Sequence, residues 1–411
     1  MSTYLCFNIP QQGNVNPTLA IVQGLITRGE QVTYYLTDEF RRPIEATGAT
    51  FRSYISSLDI HRLAQLTGAQ NSSERSVVIG EQILKECRLL LPQILDTLAG
   101  NQQPDGIIYT QTALWGRMLA QILHVPAILV HPTYAFNDYF QFFSIMHQSV
   151  PLTDADEMGA QLSALNAQLH ELCAAYQVPA FEFKDLFTHV EPLTLVMLPR
   201  AFQYAGETFD ARFNFVGPCI LPRYNAHDFP LEYLRKQPTL YIALGTSFNE
   251  LPDFYRTCLQ AFASTPWQVV MAIGQHVALT ELGTTLPENF IVHPQVPQLD
   301  VLARSSIFIS QGGMNSTMEA LSYGVPLIVI PQTQEQALTA RRIVELELGV
   351  ALEPAQVTAT SLQEAVNYIA HQPSIRLHTR QMQRTIAETG GVHAAVDAIL
   401  QYLHTRQISD I

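Results

Sequence analysis

Ile307-Phe-Ile-Ser-Gln-Gly-Gly-Met-Asn-Ser-Thr-Met-Glu-Ala-Leu321 decides the architecture. Its apolar opening, Ile307 to Ser310, reads as a buried strand. Gly312 and Gly313 turn the chain, and a helix starts near Asn315. A strand, a glycine turn and a helix in that order form the repeating unit of a doubly wound parallel sheet. Glycines let a ligand approach the backbone closely, and a helix start offers N–H groups and a positive dipole end. Asn315 and Ser316 add side-chain donors, so the loop suits an anion, most simply a phosphate. Glu319, one turn further on, can accept two sugar hydroxyls. A plain helix capped by Ser316 or Asn315 after a Gly-Gly turn explains the same letters.

The same alternation runs outward in both directions. Tyr4 to Ile9 is a short apolar run, Pro10 to Pro17 is rich in turn formers, and Thr18 to Arg28 places Leu19, Val22, Leu25 and Ile26 on one helical face. Gln31 to Leu36, Gly106 to Tyr109 and Ala127 to Val130 read as further strands. A helix is expected from near Leu114, and another over Ala160 to Ala175. Gly217, Pro218, Pro222, Pro230 and Pro238 cluster as a linker would. Beyond them, Thr239–Leu244, Trp267–Ile273, Phe290–His293 and Pro326–Ile330 are strand-like, with helices over Phe254–Ala263 and Asn315–Tyr323. The expectation is an α/β chain of two facing Rossmann-like domains with a cleft at the carboxyl ends of their strands. Residues 1–215 form the first domain, 216–238 the linker and 239–385 the second domain.

Composition excludes several classes. Of 411 residues, 47% are hydrophobic and 14% charged, against disorder and coiled coil alike. The net charge of −13 is a poor match to nucleic acid, which selects dense Lys and Arg. No stretch is long and apolar enough for a membrane span, and the N-terminus lacks a basic leader. Cys6, Cys87, Cys173, Cys219 and Cys258 are scattered without a CxxC pair, so neither a metal site nor a disulfide framework is expected. The reading is a cytoplasmic protein whose oligomeric state the sequence leaves open.

Gly312 to Glu319, Gly324-Val-Pro326, Pro331-Gln332, Glu335-Gln336, Val296-Pro-Gln298 and Gly245-Thr246 stand together in an order that resembles the UDP-glycosyltransferases of GT-B fold. The bacterial macrolide glycosyltransferases are the most similar branch. Gly13, Val15 to Leu19, Gly29, Val32 to Tyr35, Asp105, Trp115-Gly116 and Phe215 to Pro218 extend the resemblance over almost the whole chain. It implies a nucleotide-sugar donor on the second domain, a bulky, polyketide-like acceptor on the first, and a C-terminal helix over residues 386–411 that returns to the first domain. On the donor side it implicates Gly245, Thr246, Gln295, Val296, Gln298, Gln311, Gly313, Asn315, Ser316 and Glu319, with Glu335 and Gln336 for the sugar. It also implies a histidine base in the first turn and an aspartate that supports its charged form.

This chain departs from that pattern. Asn14 stands at the histidine position and Thr110 at the aspartate position; neither carries a basic or charged group. Gln311 replaces the phosphate-binding histidine, and Gln295 stands where an aromatic ring commonly stacks on the base. Nearby polar and aromatic candidates for the first-domain pocket are Gln11, Gln12, Tyr134, Phe136, Tyr139 and His147. His131, following a strand, is the candidate acid or base, and a hydrogen-bonded pocket wall explains it as well. Three readings stay open: a repurposed enzyme acting on a bulky apolar substrate without the dyad; an active NDP-sugar transferase with a substitute base or an acidic acceptor; and a noncatalytic binding or partner protein. The sequence requires no cofactor, and an NDP-sugar donor enters only if transfer is retained.

Overall fold

The structure is a computed structural model that describes residues 1–58, 72–100, 103–141, 155–221, 229–235, 238–245, 249–283 and 285–409. The chain forms two compact units, one of Met1–Leu221 with Thr389–Ile411 and one of Pro222–Glu388.

The N-terminal unit runs β1 (Thr3–Phe7), α1 (Gln12–Thr27), β2 (Gln31–Leu36), α2 (Arg41–Glu45), β3 (Thr50–Ser53), α3 (Ser72–Leu98), β4 (Gly106–Thr110), α4 (Leu114–Leu123), β5 (Ala127–His131), α5 (Ala155–Ala175), α6 (Asp185–Thr188), β6 (Leu193–Val196) and β7 (Phe213–Phe215). Its seven strands lie in the order β3-β2-β1-β4-β5-β6-β7, and every pair is parallel. β4, β5 and β6 are buried along their whole length, as strands covered on both faces must be. Gly116 lets α4 settle on the sheet, because a Cβ there would come within 2.5 Å of the Tyr109 Cβ.

The C-terminal unit repeats the plan: β8 (Thr239–Ala243), α7 (Pro252–Phe262), β9 (Gln268–Ala272), β10 (Phe290–His293), α8 (Gln298–Leu302), β11 (Ser305–Ser310), α9 (Met314–Ser322), β12 (Leu327–Val329), α10 (Gln334–Glu345), β13 (Gly349–Ala351), α11 (Ala359–His371) and α12 (Pro373–Glu388). The sheet order is β10-β9-β8-β11-β12-β13, again parallel throughout. A last helix, α13 (Gly391–Ser409), packs its Ala395, Val396, Ile399 and Leu403 into the core of the N-terminal unit. Gly24 makes room for it: a Cβ there would lie 2.7 Å from a Val396 methyl.

In each unit the strand order reverses beside one central strand, β1 in the first and β8 in the second. The loops leaving β1 and β4, and those leaving β8 and β11, therefore open at a switch point, where doubly wound sheets bind ligands. One local expectation needs correction. The first helix begins at Gln12, not at Thr18. The Gln11 carbonyl accepts from both Asn14 N and Val15 N at 2.9 and 3.0 Å, closing a turn ahead of Pro17. The proline sits inside the helix at the cost of one i→i−4 bond. Asn14 thus belongs to a helical first turn rather than to an open loop.

Candidate functional site

At the switch point of the N-terminal unit, the side chain that organises the loops is Asn8, which directly follows β1. Its Nδ2 donates to the Asn14 carbonyl at 2.9 Å and to Thr18 Oγ1 and Tyr34 OH at 3.3 and 3.2 Å. Its Oδ1 accepts from Thr110 Oγ1 at 2.8 Å and from Ile9 N at 2.9 Å. Tyr54 OH donates to the Asn8 carbonyl at 3.0 Å. Thr110, the last residue of β4, is 1% exposed. The Asn14 amide donates to Gln11 Oε1 at 2.9 Å. The two positions expected to carry a dyad are therefore joined only through Asn8, and each side chain has its own partner. Burial raises the hydroxyl pKa of Tyr34 and Tyr54 well above the ordinary tyrosine value, so the web is neutral throughout.

His131 ends β5 and is 1% exposed. Its side chain is enclosed, and neither ring nitrogen has a hydrogen-bond partner among the described residues. Burial, aided by the nearby His189, pushes its pKa down to about 3, so the imidazole is neutral at physiological pH. Tyr134 and Phe136 are buried in an aromatic stack with Phe140, Phe202 and Tyr204 at centroid distances of 5.3–6.1 Å. Gln203 clasps this stack, accepting from Ala135 N at 3.1 Å and donating to Ala135 O at 3.0 Å. Tyr139 is 78% exposed and stands apart from it. Gln12 is exposed on the first turn of α1. His147 lies outside the described residues.

In the C-terminal unit, the β11–α9 loop has the form read from the sequence. Gly312 has φ +85°, a left-handed conformation that favours glycine, and a Cβ there would meet a Val329 methyl at 2.6 Å. Gly313 caps α9 at φ −60°. It has no side chain with which to satisfy the first-turn N–H groups. Gln298, at the start of α8, donates through Nε2 to Ser316 Oγ at 3.2 Å and to Glu319 Oε2 at 2.5 Å. Tyr241 OH donates to Gln298 Oε1 at 3.0 Å. Three residues from two helices thus meet in one polar cluster beside the helix start, with Glu319 buried.

Gln311 is buried across from Gly245, at the ends of the adjacent strands β11 and β8. A Cβ on Gly245 would fall 2.2 Å from Gln311 Nε2, so this glycine is the room that the Gln311 amide occupies. Gln311 Oε1 has no partner among the described residues. Gln336 is buried, and its Oε1 accepts from Gln332 N at 2.8 Å. Glu335 beside it is exposed in the first turn of α10. Gln295 is exposed and Val296 half-buried ahead of α8. Thr246 lies outside the described residues.

The comparisons with known proteins agree on a family. Residues 256–392 match the family "Erythromycin biosynthesis protein CIII-like, C-terminal domain". The chain is 40% identical to the NDP-glycosyltransferase YjiC of Bacillus licheniformis over 97% of its own length and 96% of that protein's.

The chain belongs to the GT-B glycosyltransferases, in the macrolide-type branch.

It is also 33% identical to the demethyllactenocin mycarosyltransferase of Streptomyces fradiae, over 96% of this chain and 85% of that one. The crystal structure of CalG4, the calicheamicin glycosyltransferase, superposes with a TM-score of 0.85 at 32% identity, covering 98% of each chain.

This glycosyltransferase carries polar residues at its switch points that the sequence reading did not single out. Asn8 had a signal, being the one amide in the apolar run of the first strand. Tyr34, Tyr54 and Tyr241 had none, since a tyrosine in or beside a strand reads as core. Glu86 had none either. It is buried on α3 and accepts from Ser56 Oγ at 2.5 Å, Ser57 N at 2.8 Å and Ser57 Oγ at 2.9 Å. It fixes the loop that follows β3 and carries Tyr54. No group of three or more His, Cys, Asp or Glu placed to hold a metal occurs among the described residues. No helix among them is long and apolar enough to cross a membrane.

Proposed function

We propose that this glycosyltransferase transfers a sugar from a nucleoside diphosphate to a hydrophobic acceptor that arrives already ionised, a phenol or a carboxylic acid. The observation that carries the reading is the contrast between the two switch points. The Gln298–Ser316–Glu319 cluster stands assembled at an α9 start whose cap is a glycine, an arrangement that suits an NDP-sugar. The Asn8–Asn14–Thr110 web is neutral and has no group basic enough to deprotonate an alcohol.

In this reading Glu319 and Gln298 receive the nucleoside's hydroxyls, and the α9 N–H groups with Ser316 hold the diphosphate. The acceptor oxygen bonds to the anomeric carbon as that carbon's bond to the diphosphate oxygen breaks. The electron pair leaves with the diphosphate, and the carbon is inverted. Asn14 and Gln11 orient the acceptor by hydrogen bonds and take no proton. Gln311 replaces a charge-assisted contact with a neutral one about half as strong, which lowers donor affinity without removing it.

Calorimetric titration with UDP and with thymidine diphosphate, followed by transfer assays on 4-nitrophenol and on an aliphatic alcohol, tests the reading. The expected result is binding of at least one nucleotide and transfer to the phenol alone. Absence of heat for both nucleotides at millimolar concentration, where about −4 kcal/mol of binding registers, overturns it. So does equal transfer to the alcohol.

A further inference from the structure

We propose that the pocket around Arg117 in the N-terminal unit is a ligand site for the oxyanion head, carboxylate or phosphate, of a small molecule. Arg117 lies on α4 and is 8% exposed. Its guanidinium stacks 3.9 Å above the Phe181 ring. Stacking holds the guanidinium plane by its face. Nε and Nη1 are both buried and have no hydrogen-bond partner among the described residues.

The acids nearby do not close this cation. Glu191 accepts from Tyr109 OH at 2.7 Å and is 2.8 Å from His189 Nε2. Asp185 Oδ2 accepts from Glu182 N at 2.9 Å. Arg212 grips Asp210 through two nitrogens at 2.6–3.1 Å. Glu191 and Asp185 favour the charged guanidinium through space, but two of its buried N–H groups stay unbonded among the described residues, which is costly, and a site that binds an anion gives that cost a purpose.

Arg117 also faces space for a ligand. With Phe181, Asp185, Thr188, His189 and Arg212 it lines a depression open to solvent, of about 460 Å³. Phe181 and Val190 supply apolar wall, and Asp185, Thr188, His189 and Arg212 supply the polar lining, with His189 held by Glu191 and Arg212 by Asp210. None of Asn8, Asn14 and Thr110 lines it. Thr188 to Val190 lead into β6 and Arg212 into β7, the amino ends of those strands, whereas Thr110 stands at the carboxyl end of β4. In a chain of net charge −13, general attraction for anions does not explain such a site; the local guanidinium edge does.

The test uses 4-fluorobenzoate observed by ¹⁹F NMR, with calorimetric titration of inorganic phosphate as a parallel arm. The full chain is compared with Arg117→Gln and with Ala180→Trp, which fills the pocket mouth and spares the arginine. Melting curves check that each variant is folded. The expected result is saturable binding of the benzoate, the phosphate or both to the wild type. It is weakened about tenfold or more by either variant. Phosphate bound elsewhere in the chain is unaffected by these two changes, so the difference reports this pocket. Benzoate binding that phosphate fails to displace assigns a carboxylate head; displacement, or phosphate binding alone, assigns a general oxyanion or a phosphate. No saturable binding of either probe at millimolar concentration overturns the proposal, as does equal binding by all three proteins.

Discussion

Asn8 holds the dyad positions in place while giving neither of them a charge. Its amide spends its donor on the Asn14 carbonyl and its acceptor on Thr110. Replacing Thr110 by aspartate alone sets a carboxylate against Asn8 Oδ1, so the amide must turn over before the site accepts it. We expect Asn14→His with Thr110→Asp to gain transfer to aliphatic alcohols. Its pH profile of kcat/KM should show a new basic limb near the histidine range of about 6.5, absent from the wild type. Either single change should gain little, because the imidazole needs its carboxylate and the carboxylate has no purpose without it.

His131 makes a second prediction at this scale. Its pKa falls from the ordinary value to about 3 by burial. Between about pH 6.5 and pH 3 the unfolded chain binds a proton that the folded one refuses. Stability is then lost as pH falls through that window, by up to ~1.4 kcal/mol per pH unit. His131→Leu should melt less steeply with acid than the wild type between pH 6.5 and 4.5; parallel melting curves would refute the assignment.

The β11–α9 element separates two glycines that look alike on paper. Gly312 holds φ +85° and abuts Val329, so Gly312→Ala should destabilise the fold by more than about 1 kcal/mol in denaturant titrations. Gly313 has φ −60°, and a Cβ there would meet only Gln311 Nε2 at 3.5 Å. Gly313→Ala should leave the melting temperature almost unchanged and weaken UDP binding about tenfold or more, because the added methyl would stand where the proposed diphosphate approaches. Equal UDP affinity in Gly313→Ala would remove the diphosphate from this helix start. The strand, turn and helix here were legible because each is a local pattern. The position of α1 was less so: Pro17 looks like a helix start, and only the Gln11 carbonyl, by taking two N–H groups, moves the start back to Gln12.

At the scale of the whole molecule, the chain's last helix belongs to the unit built by its first residues. Ile399 is fully buried in the core with Val396 and Leu403. Ile399→Ala should cost about 2–5 kcal/mol, read as a lower midpoint in urea. Removing residues 389–411 uncovers the α1 surface at Gly24 and should leave the N-terminal unit prone to aggregation. Pro222–Glu388, a contiguous unit with its own core, should express folded by itself. The two parallel sheets were readable from alternating strand and helix patterns; the return of the C-terminal helix to the first unit was implied only by the family resemblance. β3, β6, β7 and β13, each three or four residues long, were not read from the sequence, although β10 and β12, as short, were.

What the sequence determined by itself is chemical identity and local pattern: a glycine turn before a helix, and amides and a hydroxyl at positions 14, 110 and 311. Those facts are set residue by residue, and no packing alters them. Only the tertiary structure decided that Asn8 meets Thr110 from 102 positions away and that Gln298 reaches Glu319 from another helix. It also decided that His131 is enclosed and Arg117 is left with unspent donors. The reason is that periodicity reports which face of an element is apolar. Which side chains share a site depends on strand order, and that is settled by the burial of the sheets as a whole.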